Sequence, residues 1–254
     1  MRVAYWKGSD GDGGEVLLPT NDLNRWGRGE QIQSTRDQNF NAAKQNLSDW
    51  IADHLDACSQ WLMEATANIQ EWRSPARLVN LILSWQDHRF NGDQKIFGIM
   101  EAWRKHELHL HRFQTGVLRE AQEWREHLYR NIAVELSKRY KTAHVEDINW
   151  AEMSRKAAVE DKSKPAPYQR RLASPGRLIA LLKECMCETK EWDPRWSSKM
   201  CHICGKVDEF KDEAELVHSC SNCGSTWDRD ENSAENHLAY GLGNRQPPAL
   251  RVLT

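Results

Sequence analysis

Over the first eighteen residues, two short apolar-rich runs flank a glycine-rich turn. Residues 2–7 (Arg-Val-Ala-Tyr-Trp-Lys) and 15–18 read as the strands of a hairpin, because Gly8 to Gly14 supplies the positive φ angles and Asp side chains that turns use. Pro19 to Gly29 reads as a loop. The period then changes to three or four. Phe40, Leu47, Ile51, Leu55, Cys58, Leu62, Ala65, Ile69 and Trp72 form one apolar stripe of a long helix. Ser74-Pro75 supplies a cap and a first-turn Pro for the next helix, with Leu78, Leu81, Ile82 and Trp85, which Asn91-Gly92 closes. A third helical stretch starts near Ile96, is expected to continue or bend between Gln114 and Gly116, and ends at about Arg139. After it the run Thr142 to Ile148 is short, β-branched and apolar. It predicts a buried strand with Glu146 and Asp147 at its C-terminal end. Residues 162–167 read as a loop, Gly176–Cys185 as a helix and Cys187–Trp192 as a strand. Asp230 suits the N-cap of a short last helix bearing Asn232, Asn236 and Leu238.

Composition adds limits. In 254 residues no apolar run approaches the ~20 needed to span a bilayer, and the opening Met-Arg-Val-Ala-Tyr-Trp-Lys breaks off before a signal-peptide core. A cytoplasmic chain with no membrane partner is expected. The twelve Trp suit burial or base stacking alike. Net charge is only −2, but its distribution is uneven. Residues 153–183 hold eight Lys or Arg against two acids, and residues 200–236 hold three basic residues against nine acids. A basic stretch beside an acidic one suits phosphate contacts next to a cation site; two solvated faces would read the same way.

The most specific local signal is the pair Cys201-His202-Ile203-Cys204-Gly205 and Cys220-Ser221-Asn222-Cys223-Gly224, with fifteen residues between the knuckles. Two Cys at i and i+3 on a tight turn aim both thiolates at one ion, and the Gly after them permits a left-handed residue. Cys201, Cys204, Cys220 and Cys223 therefore predict a tetrahedral zinc site. Glu146 amid apolar strand residues suits a cation or donor, though a strand-edge acid in water is equally open. Asp228 and Asp230 read locally as caps and turn residues.

The order of these pieces carries a resemblance. An acid-ended strand (Val145-Glu146-Asp147-Ile148) precedes Ser174-Pro175-Gly176-Arg177 and Asp193-Pro194-Arg195-Trp196. The two knuckles follow, and then Asp228-Arg229-Asp230-Glu231-Asn232-Ser233-Ala234. Over about Lys141 to Gly241 this resembles the C-terminal RuvC nuclease portion of type V CRISPR effectors and their transposon-encoded TnpB relatives. The resemblance implies an α/β, RNase H-like mixed sheet with a long helical insertion and a small zinc-ribbon module. The segments would be hairpin strands at 1–30, a helical segment at 31–140 and strand-helix-strand at 141–198. A zinc ribbon for target nucleic-acid binding would take 199–227, and a last helix and tail 228–254. Glu146 matches the second RuvC acid and Asp230 the third, with Asp228 the weaker match. The family's first acid, at a strand end ahead of such a hairpin, has no counterpart here, since Asp10 and Asp12 fall in the turn.

The activity implied is Mg²⁺-dependent, two-metal DNA hydrolysis guided by RNA, completed by upstream sequence or a partner such as a longer chain of the same family. Zn and Mg would be the cofactors, and guide RNA and target DNA the partners. Arg155, Lys156, Arg170, Arg171 and Arg177 are the candidate phosphate contacts. The alternative is a nuclease-dead nucleic-acid-binding protein or accessory subunit of the same family. An unrelated zinc-ribbon protein on a helical scaffold would instead leave Glu146 and Asp230 far apart.

Overall fold

The computed structural model describes residues 1–149, 152, 172–208 and 216–247. The elements run β1 (Arg2–Lys7), β2 (Gly13–Leu17), α1 (Thr20–Asp53), α2 (Gln60–Thr66), α3 (Pro75–Trp85), α4 (Gln94–Arg139) and β3 (Thr142–Glu146). After them come α5 (Pro175–Cys185), β4 (Glu188–Trp192), β5 (Val217–Ser219), β6 (Thr226–Asp228) and α6 (Arg229–Gly241). The chain divides into two compact units, Asn24–Gln122 and Met1–Leu23 with Glu123–Thr254. Among the described residues no helix is long and apolar enough to cross a membrane.

The structure corrects two expectations among the helices and settles a third, which left a continuous or a bent helix open. Residues 20–29 are helix, not loop: Pro19 sets the first turn, its carbonyl accepting from the amides of Asp22 and Leu23. Gly29 is needed where it stands, since a Cβ there would come 2.5 Å from Leu118 Cδ2. The stripe from Phe40 to Trp72 is not one helix. Ser59 Oγ accepts from the Leu62 amide at 3.3 Å and starts α2 afresh, while Cys58, Leu62, Ile69 and Trp72 stay in the same core. Conversely, α4 runs unbroken through Gln114–Gly116. Gln114 is buried, and its amide donates to Gly29 O at 3.1 Å and Gln33 Oε1 at 3.0 Å. The core itself is built on Trp85, fully buried, whose indole donates to Asp93 Oδ2 at 3.0 Å. Here Trp72 and Trp85 pack instead of facing a ligand.

In the other unit, β1 and β2 pair antiparallel from Arg2↔Leu17 to Lys7↔Gly13, as the turn chemistry predicts. β3 and β4 pair parallel, Thr142↔Glu188 through Glu146↔Trp192, with α5 between them in sequence. Val16, Tyr129, Ala133, Val145, Leu178, Leu181 and Leu182 form the core under these strands. α6 packs on both β1 and β3. Among the described residues the strands form three two-stranded pairs, β1–β2, β3–β4 and β5–β6, and no ladder joins β1 to β3 into one mixed sheet.

Candidate metal centre and carboxylate cavity

The two knuckles are built alike. Cys201 N donates to Lys206 O and Gly205 N to Cys201 O; Cys220 N donates to Ser225 O and Gly224 N to Cys220 O. Gly205 and Gly224 have φ of +76° and +71°, the left-handed residues the motif calls for. The four Sγ atoms lie within 4.8 Å of one another, with Cys201–Cys223 at 3.7 Å and Cys204–Cys220 at 3.5 Å. Zn–S bonds of ~2.3 Å at the tetrahedral angle would set sulfurs ~3.8 Å apart, so the cluster fits zinc. Hydrogen bonds from the Lys206 backbone and then Asn222 pull the Cys204 thiol down to about 6, toward the thiolate a metal binds. Cys201, Cys220 and Trp227 form a small core of their own behind the sulfurs.

The ribbon is locked to α6 by two residues whose role the sequence reading missed. Asn232 and Asn236 are fully buried. The Asn232 amide donates to the carbonyls of Ser197, Ser198 and Met200, and its Oδ1 accepts from His202 N at 2.9 Å. The Asn236 amide donates to the same Ser197 and Met200 carbonyls, at 2.9 and 2.7 Å. Their i, i+4 spacing was the available signal.

Glu146 ends β3, as expected. Its Oε1 accepts from Ser233 Oγ at 2.8 Å, from Ser197 Oγ at 3.1 Å and lies 3.4 Å from His237 Nε2. Burial opposes its ionisation, but the hydrogen bonds from His237, Ser233 and Ser197 outweigh it and hold the carboxyl below its ordinary value. Ser197 is delivered by a turn in which Trp196 takes φ +73°, a costly conformation for so large a residue.

The N-cap of α6 is Asp228, not Asp230: Asp228 Oδ1 accepts from the amides of Asp230 and Glu231. Because β6 runs straight into the helix, the last extended residue is the one positioned to cap. Asp230 thus sits in the first helical turn, where Arg2 reaches it at 2.9 Å and Asp228 at 3.0 Å. Ser233 lies three residues along from Asp230, so Glu146 is held about one helical turn from it. Glu146 and Asp230 line one cavity of about 630 Å³ between β1, β3 and α6.

Among the described residues, only the four Cys gather three or more metal-ligating groups. Glu146 is engaged by two hydroxyls and a histidine, and Asp230 by a guanidinium. These residues do not by themselves make a divalent-cation pocket. Arg177 is paired with Glu126 and Glu184 rather than free for phosphate. Arg155, Lys156, Arg170 and Arg171, with the loop expected at 162–167, lie outside the described residues.

Residues 177–237 match the family described as "Cas12f1-like, TNB domain". The chain is 32% identical over 245 residues to a CRISPR-associated DNA-binding protein Cas12m of Allomeiothermus silvanus, covering 94% of this chain and 45% of that one. It is 28% identical to a Cas12m of Thermanaerosceptrum fracticalcis, covering 94% of this chain and 41% of that one. A solved Cas12f1–sgRNA–target DNA complex superposes at a TM-score of 0.36 and 18% identity over 57% of this chain and 41% of that one, too low to define a fold. The family match and the two relatives support a type V CRISPR effector-like protein. Within that class the relatives named here are Cas12m proteins, and the chain spans less than half of their length.

Proposed function

We propose that this chain is the C-terminal, nucleic-acid-handling part of an RNA-guided DNA-binding effector. Its zinc ribbon would contact target DNA, and its Glu146–Asp230 cavity is a RuvC-type nuclease pocket one carboxylate short. One observation supports this above the rest: the helix that presents Asp230 also anchors the ribbon through Asn232 and Asn236 and reaches Glu146 through Ser233. A nucleic acid bound at the ribbon is thereby held to the helix that carries Asp230 and touches Glu146. That coupling argues against an unrelated ribbon protein. The names of the relatives, DNA-binding proteins, point the same way.

On this reading the zinc supplies a rigid fold for the two knuckles, and Cys201, Cys204, Cys220 and Cys223 would hold it. The chain's own work is binding. Arg155, Lys156, Arg170 and Arg171 would neutralise phosphates, guide RNA and target DNA being the partners. With Asp228 and Asp230 both paired to Arg2 and no cluster of three metal-ligating carboxylates among the described residues, the chain alone binds DNA and does not cut it. The test is anisotropy with fluorescent single-stranded DNA and an RNA–DNA hybrid across a salt series, beside a Mg²⁺ cleavage assay. Log affinity should fall linearly with log salt, and Arg170→Ala with Arg171→Ala should flatten the slope by about two. Salt-independent binding overturns the nucleic-acid reading, and cleavage by the unmodified chain overturns the incomplete pocket.

A further inference from the structure

One side chain outside the four cysteines touches a sulfur of each knuckle. Ser225 Oγ lies 3.0 Å from Cys223 Sγ and 3.3 Å from Cys201 Sγ. The backbone of the second knuckle holds it there. Gly224, at φ +71°, turns the chain back, and Ser225 O accepts from Cys220 N at 2.8 Å. Cys223 and Cys201 are themselves 3.7 Å apart, so the hydroxyl bridges the one pair of sulfurs that belongs to different knuckles and has a side-chain hydroxyl on both members. The other cross-knuckle pair, Cys204 and Cys220, at 3.5 Å, has no side-chain hydroxyl on its sulfurs among the described residues.

The two sulfurs differ in access. Cys201 is fully buried, whereas Cys223 and Cys204 are exposed. Four thiolates around one Zn²⁺ leave the centre doubly negative, with the excess charge on sulfur. An exposed thiolate is then the ligand most open to attack and to loss from the metal. A serine hydroxyl has one proton to give, and here its nearer sulfur is the exposed one, Cys223. A hydrogen bond to an ionised acceptor is among the stronger ones and draws charge off that acceptor. Donors placed on metal ligands in this way commonly govern metal affinity by 10- to 100-fold. Cys204, equally exposed but without a hydroxyl, is a comparison built into the same site.

We propose that Ser225 is a positioning residue of the zinc centre. Its hydroxyl donates to the Cys223 thiolate, keeps Cys201 of the other knuckle beside it, and so both retains the zinc and makes Cys223 unreactive toward electrophiles. The ribbon is thereby a closed structural centre on its exposed side as well as on its buried one. The inference rests on the zinc part of the proposed function and not on nucleic-acid binding or cleavage. Ser219 supplies the contrast: its hydroxyl lies in the same β5–β6 hairpin, 3.2 Å from Thr226 Oγ1, and contacts no sulfur.

The test uses the full zinc-loaded chain without nucleic acid or magnesium, with Ser225→Ala, Ser225→Thr and Ser219→Ala beside it. Zinc affinity is read by competition with a chromophoric chelator, and thiolate reactivity by iodoacetamide labelling mapped to each cysteine by mass spectrometry. Ser225→Ala should bind zinc roughly 10- to 100-fold more weakly. It should label Cys223 several-fold faster than the unmodified chain, with the rate at Cys204 unchanged. Ser225→Thr should restore both values, and Ser219→Ala should move neither. With excess cobalt(II) in place of zinc, the sulfur-to-metal charge-transfer band of Ser225→Ala should shift to longer wavelength, a readout that does not depend on tight binding. Unchanged affinity and labelling in Ser225→Ala, equal acceleration at Cys204 and Cys223, no rescue by Thr, or an unmoved cobalt band overturns the proposal. An unmodified chain that takes up no zinc refutes the four-cysteine site itself, a failure separate from that of Ser225.

Discussion

Asn232 and Asn236 hold the ribbon through shared acceptors, and sharing has a measurable signature. Replacing Asn232 by Ala orphans the His202 N–H, which it accepts at 2.9 Å, and leaves a small hole. The Ser197 and Met200 carbonyls still have Asn236 as donor, at 2.9 and 2.7 Å. The orphaned His202 amide, the part-buried Ser198 carbonyl that loses its donor and the hole together cost about 2–3 kcal/mol. Asn236→Ala leaves Asn232 on both carbonyls and costs about 1–2 kcal/mol, chiefly through Arg245, which keeps Cys201 O as a second acceptor. The double variant strips both buried carbonyls of every side-chain donor. Its loss should exceed the sum of the singles by about 2 kcal/mol or more. The assay is native-state hydrogen exchange at the Cys201 and Gly205 amides, both hydrogen-bonded within the first knuckle, in zinc-loaded protein. Asn232→Ala alone should speed their exchange by roughly 30- to 150-fold, at 1.36 kcal/mol per decade. Additivity of the two substitutions within about 0.5 kcal/mol would refute shared anchoring.

Elemental analysis should find about one zinc per chain, and Cys220→Ser should lose it; a zinc content unchanged by that substitution excludes the four-cysteine site. Because Glu146 has a depressed folded-state value, its contribution to stability is full above the unfolded value of about 4.3 and is lost as pH falls through the folded one. Urea melts of the unmodified protein and Glu146→Gln should thus differ at neutral pH and converge in acid; a gap that widens in acid contradicts the assignment. Arg2→Met removes the cation shared by Glu15, Asp228 and Asp230 and should cost about 1–2 kcal/mol, less in high salt. An unchanged urea midpoint at low salt would show that those ion pairs contribute nothing.

The parts of this protein legible in the sequence were those fixed by neighbours along the chain. The cysteine knuckles depend on a three-residue spacing and a glycine with positive φ, and both appear where the spacing puts them. The hairpin, α3, α5 and the ends of β3 and β4 follow from turn residues, caps and short apolar runs. Element boundaries failed where local signals competed. Pro19 with its following turn overrode the glycines of residues 27–29, and the Ser59 cap cut a stripe that stayed apolar throughout. What only the tertiary structure decided is who meets Glu146 and Asp230. Ser197, Ser233 and His237 reach Glu146 from up to 91 positions away, and Arg2 reaches Asp230 across 228 positions. The choice of Asp228 as cap depended on how β6 enters α6. Periodicity shows which face of an element is apolar. It cannot show which faces meet, because that depends on burying all of them at once, and the cavity between β1 and β3 exists only after that packing is complete.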